Sequence, residues 1–131
     1  MTDFPLCFRY TLASAGRDRM IKVWNTKDSK IEYVMYSIGP VGKIKWRPRY
    51  NYHIASFSGL VGDFSVNIWD VRRPYIPLNI FSEHTKNITD IKWMKDPERL
   101  LSGGKVMIIL HFCFNNGVVS LSTRHECYFA G

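Results

Sequence analysis

A chain of 131 residues has room for one ordinary domain with a modest core, which argues against two. Its longest apolar run, residues 106–114 with His111 inside it, is about half of what a membrane-spanning helix needs, and residues 1–16 read as neither signal nor transit peptide. The formal charge of +7 permits acidic partners without naming one, and an odd set of cysteines (Cys7, Cys113, Cys127) fits a reducing compartment better than a disulfide framework.

Aromatic residues make up 15% of the chain, and Gly, Pro and Ser punctuate it often, so the expected fold class is all-β, built of short strands and turns. In chain order, LASAG at 12–16 reads as a strand running into small residues. A turn holding Asp18 follows, then IKVWN at 21–25, where Ile21 and Val23 alternate with Lys22. GKIKWRP at 42–48 places Ile44 and Trp46 two apart. HIASFS at 53–58, a longer turn through Asp63 and VNIWD at 66–70 repeat the first pattern. Pro48, Pro74, Pro77 and Pro97 fall after strands, where a missing N–H breaks no ladder. A loop with His84 leads to TDIKWMK at 89–95 and LLSGG at 100–104.

These pieces recur at a fixed interval. IKVWN ends at residue 25 and VNIWD ends at residue 70, a shift of 45, and GKIKWRP at 42 returns as TDIKWMK at 89, a shift of 47. Each period holds four strands, and a repeat of that length governs the fold more than any local propensity does.

The repeating residues resemble the WD40 family, whose four-stranded antiparallel blades stack into a propeller. The resemblance covers residues 12–105 and implies a partial propeller of about two blades: the end of one, a full second and the start of a third. It also implies a hydrogen-bonded tetrad in each blade, made by a loop His, a second-strand Ser, a turn Asp and a third-strand Trp. Asp18 stands six residues before Trp24, and Asp63 six before Trp69. Ser14, Ser58, Ser102 and His84 take the remaining roles, as structural groups rather than a catalytic triad. Gly39-Pro40 stands where Gly-His is usual, so the second tetrad lacks its His. The longer turn SGLVGD predicts a second blade that is looser at that turn.

Within the family, the run through WDVRRPYIP and FSEHTKN to LLSGGK is similar to the WD-repeat subunits of GATOR2-type complexes. That resemblance implies a non-catalytic scaffold whose partners are other protein subunits of the complex, without cofactor, metal or small-molecule substrate. It also implies promotion of amino-acid-dependent TORC1 signalling, restraint of autophagy, and a cytoplasmic location peripheral to the lysosomal or vacuolar membrane.

Several residues carry a sharper alternative. Trp69, Asp70 and Arg72 fit the WDxR signature by which some propellers dock onto cullin-ring ligase adaptors, which makes a ligase substrate receptor the alternative function. Arg72 and Arg73 are candidate partner contacts. So are Lys43, Lys45 and Arg47, which with Arg49 recur at period two and predict a positive stripe along one strand face. Nucleic acid is not the expected occupant, because Trp46 belongs to the opposite, buried face and no stacking aromatics accompany the cations. His111, Cys113, His125 and Cys127 form an H-x-C pair repeated after eleven residues. A one-residue gap rarely gives a tetrahedral bite, so no zinc is expected. Asn87-Ile88-Thr89 matches a glycosylation sequon with no secretory context to use it.

Aligning SAGRD at 14–18 with SGGKV at 102–106 sets Val106 against Asp18, and no Trp or turn Asp follows. Residues 106–131 are therefore expected to be an unrelated tail, disordered or derived from intron read-through, and residues 1–11 an irregular N-terminus. A piece with open strand edges is expected to unfold broadly and with low cooperativity.

Overall fold

A computed structural model describes residues 2–3, 10–50, 52–59, 62–82, 84–96, 98–104, 107–113 and 120–126. Twelve strands account for the regular structure among them. The first sheet runs β1 (Thr2–Asp3), β2 (Thr11–Ala15), β3 (Met20–Asn25), β4 (Lys30–Tyr36). The second runs β5 (Val41–Trp46), β6 (His53–Ser58), β7 (Val66–Asp70), β8 (Asn79–Phe81). The third runs β9 (Ile88–Trp93), β10 (Arg99–Gly104), β11 (Met107–Cys113), β12 (Ser120–Glu126). Each sheet is a four-stranded antiparallel meander in strict chain order, so every connection is a hairpin within a sheet or a step to the next sheet.

The expected partial propeller is present and extends further than the repeat in the sequence. β11 and β12 complete a third sheet from residues expected to lie outside the blade pattern, and Thr2–Asp3 pairs with Ala13 and Ser14 inside the expected irregular N-terminus. The physical reason is that strand pairing needs extended backbone and covered alternate side chains, not the Trp and Asp markers. Ile109 and His111 supply two fully buried positions on one face of β11.

Two apolar layers hold the sheets together. Ala13, Ile21 and Val23 of the first sheet pack on Ile44, Ile54 and Trp69 of the second. On the other side of the second sheet, Ala55, Phe57 and Ile68 pack on Ile91, Trp93 and Leu100 of the third. Adjacent residues of β6 thus serve opposite layers, and all six of its positions are buried. Each fully buried isoleucine contributes about 1.5–3 kcal/mol relative to exposure.

Close approach of neighbouring strands within a sheet fixes two glycines. A Cβ on Gly42 would come within 2.4 Å of the Phe57 ring, and one on Gly104 within 2.8 Å of the Asn87 carbonyl oxygen. Both lie where the strand register shifts, between Val41 and Lys43 and between Gly103 and Gly104. The turns use short polar chemistry. Asp18 Oδ1 accepts the Met20 N–H at 3.2 Å beside Arg19, whose φ is 66°. Asp63 Oδ1 accepts the Ser65 N–H at 3.1 Å and the Ser65 hydroxyl at 2.7 Å.

Candidate interaction site

One serine on the second strand of each sheet meets a ring nitrogen from the third strand. Trp24 Nε1–H donates to Ser14 Oγ at 2.9 Å, and Trp69 Nε1–H donates to Ser56 Oγ at 2.9 Å. Ser56 therefore replaces Ser58 in this role. Ser58 instead lies 3.5 Å from the Pro40 carbonyl, a long contact at the end of β6. The sequence favoured Ser58 because it opens the turn, but register decides, pairing Leu12 with Trp24 and Ile54 with Trp69.

In the third sheet the same register pairs Leu100 with His111, so a histidine occupies the tryptophan place. Its Nε2 is 2.6 Å from Ser102 Oγ, and His84 Nε2 reaches the same oxygen at 2.6 Å. His84 and Ser102 thus meet as expected, whereas His111 was missed. The signal for it was spacing: Ser14 precedes Trp24 by ten residues and Ser102 precedes His111 by nine. All three side chains are buried, which gives a serine flanked by imidazoles no route to a substrate. Burial, and then the neighbouring His84, lower the His111 pKa to about 3, so the ring is neutral at ordinary pH.

The turn aspartates stay outside these networks. Asp18 is exposed, with Lys22 Nζ 3.9 Å away, and Asp63 is bonded to Ser65. The tetrad implied by the resemblance is here a ring-to-serine bond plus a separate capped turn. In both turns the carboxylate is taken up by the amide two residues on.

The positive stripe is also broken up. β5 ends at Trp46, and Arg47 turns inward, 2% exposed. Its guanidinium lies 3.8 Å from the Tyr50 ring centroid and 5.2 Å from that of Trp93, and its Nη1 is 3.1 Å from His53 Nδ1. Arg47 is thus a packing residue joining the second and third sheets, not a partner contact. Burial and then the Arg47 charge lower the His53 pKa to about 4, so its 3.9 Å approach to Asp70 is not an ion pair near neutrality. Arg49 sits in the turn at φ 65°, off the strand. Lys43 is half-buried and pairs with Asp90 at 3.3 Å across the sheets; Lys45 is exposed.

At the end of β7, Trp69, Asp70 and Val71 are buried. Arg72 forks onto the Asp70 carboxylate, Nε at 3.2 Å and Nη2 at 3.1 Å, and covers the Tyr52 ring at 4.3 Å. Burial alone would raise the Asp70 carboxyl, but the Arg72 hydrogen bonds outweigh it and hold it below its ordinary value. Of the WDxR residues, only Arg72 presents surface to a partner. Arg73 follows it, exposed.

The H-x-C constellation does not assemble from what is described. His111 is committed to Ser102, the register sets His125 opposite Ile108 and Ser122 opposite His111, and Cys127 lies outside the described residues. A cleft between the first and second sheets, lined by Val23, Tyr33, Trp46 and Tyr52, holds about 130 Å³. A hollow over Ser14, Asp18 and Trp24 holds about 380 Å³.

A WD40 repeat model (WD domain, G-beta repeat) matches residues 4–25 and 75–105. The GATOR2 complex protein Wdr24 of Drosophila melanogaster is 46% identical over 110 residues, which cover 82% of this chain and 14% of that protein. The human GATOR2 complex protein WDR24 is 43% identical over 98 residues, covering 72% of this chain and 12% of that protein. A ribosome biogenesis protein WDR12 homolog of Nematostella vectensis is 31% identical over 97 residues, covering 71% of this chain and 22% of that protein. The chain therefore spans about a seventh of the length of the GATOR2 relatives.

Proposed function

The chain belongs to the WD40-repeat family, and from that premise we propose that it is a non-catalytic interaction scaffold, part of a GATOR2-type WD-repeat subunit. The observation that carries this reading is the 46% identity across 82% of the chain. The geometry is compatible with it: the hydroxyls of Ser14, Ser56 and Ser102 are consumed in bonds to ring nitrogens on the neighbouring strand of the same sheet. Its partners on this reading are the other subunits of the complex, its role amino-acid-dependent TORC1 signalling with restraint of autophagy, and its place the cytoplasmic face of the lysosome or vacuole.

Affinity purification of the tagged chain from cells tests the reading. GATOR2 subunits should be recovered in stoichiometric amounts. Recovery of a cullin-ring adaptor instead, lost in Arg72→Ala, would establish the alternative of a ligase substrate receptor.

A further inference from the structure

The connection between β7 and β8 carries an apolar tip that folding leaves uncovered. Tyr75 is 91% exposed and Ile76 71% exposed, side by side between Pro74 and Pro77. The connection is tied at both feet. The Arg73 N–H donates to the Asp70 carbonyl at 2.9 Å, and the Leu78 N–H to the Ile68 carbonyl at 2.6 Å. Beneath it the Arg72 fork on Asp70 closes the first turn. Two prolines in four residues remove unfolded-state freedom, so the tip is held in place before anything binds it.

Charge selects the kind of partner. From Val71 to Ser82 the sequence contains no Asp or Glu. Arg72 is already matched by Asp70, whereas among the described residues no carboxylate pairs with Arg73. A preordered tyrosine beside an exposed arginine is the residue chemistry that dominates protein interfaces. Two apolar side chains are too few to anchor a chain stably in a bilayer, which takes an acyl chain or a full amphipathic face with a second signal.

We propose that residues 73–77 form a docking knob that seats Tyr75 and Ile76 in an apolar cleft of a partner protein, with Arg73 meeting a carboxylate on the cleft's rim. The partner is a subunit of the complex, so the proposal rests on the scaffold reading above and adds the surface used.

The test is binding of the full chain to purified GATOR2 complex assembled without its WDR24 subunit. The double variant Y75S/I76S should weaken binding about tenfold or more, as expected when hot-spot side chains are removed. R73E should weaken it too and blunt its dependence on salt, whereas I38S, altering a residue 88% exposed on the β4–β5 connection, should leave it unchanged. Thermal melts of each variant check that folding is kept. Variants that melt normally and bind like the unaltered chain, or an equal loss in I38S, would overturn the knob while leaving the scaffold reading intact. An unaltered chain that does not bind the complex would remove both. Tip-dependent binding to phosphatidylserine vesicles would overturn the protein partner in favour of a membrane.

Discussion

Ser56 and Ser58 lie two residues apart on β6 and both are buried, yet only Ser56 accepts an indole N–H. Removing its hydroxyl leaves a buried donor unsatisfied, a loss of about 1–3 kcal/mol. Ser56→Ala should therefore lower the urea midpoint clearly, and a midpoint left unchanged would remove the indole bond from the account. Two of the buried histidines, His53 and His111, carry a pH dependence. Each binds a proton near pH 6.5 when unfolded but only near 4 (His53) or 3 (His111) when folded. Their contribution is complete well above pH 6.5 and falls as pH drops through it towards the lowered values, by at most about 1.5 kcal/mol per histidine between pH 6.5 and 5. Melting temperature should be flat above pH 7 and decline below 6.5. His111→Trp, which installs the ring that the other two sheets use, should reduce that decline by one histidine's share. A decline of unchanged size would assign the proton uptake elsewhere. None of these roles could be read from residue type, because Ser, His and Arg47 acquire them from partners on other strands.

The blade as an element was largely legible. IKVWN and VNIWD became β3 and β7, and the two IKW stretches became β5 and β9, because period-two alternation records one covered face directly. The third sheet was legible only as far as LLSGG. Its β11 keeps the covered positions Ile109 and His111 without the Trp marker, and a hydrogen-bonding ring is all that Ser102 requires. Coverage also differs between sheets. β6 is buried at all six positions, whereas Ala13 is the one buried residue of β2. Hydrogen exchange should follow: amides of β6 and β7 should exchange about ten times more slowly than those of β2, since opening the second sheet uncovers two apolar layers and opening the first uncovers one. Protection as high in β2 as in β6 would contradict the layered packing.

At the scale of the whole molecule the excess of 18 Lys and Arg over 11 Asp and Glu looked like a general attraction to acidic surfaces. Tertiary structure divides it: Arg47 is packed inside, Arg72 and Lys43 are matched by carboxylates, and Arg73 and Lys45 stand at the surface. The sequence by itself determined the all-β class, the four-strand period and the WD40 likeness, since a repeat is a property of order along the chain. Only the tertiary structure decided which serine bonds which ring, that a histidine serves in place of a tryptophan, and which cations reach solvent. Those outcomes depend on where strands end, how they register and what the neighbouring sheet covers, and alternation along a single strand carries none of that.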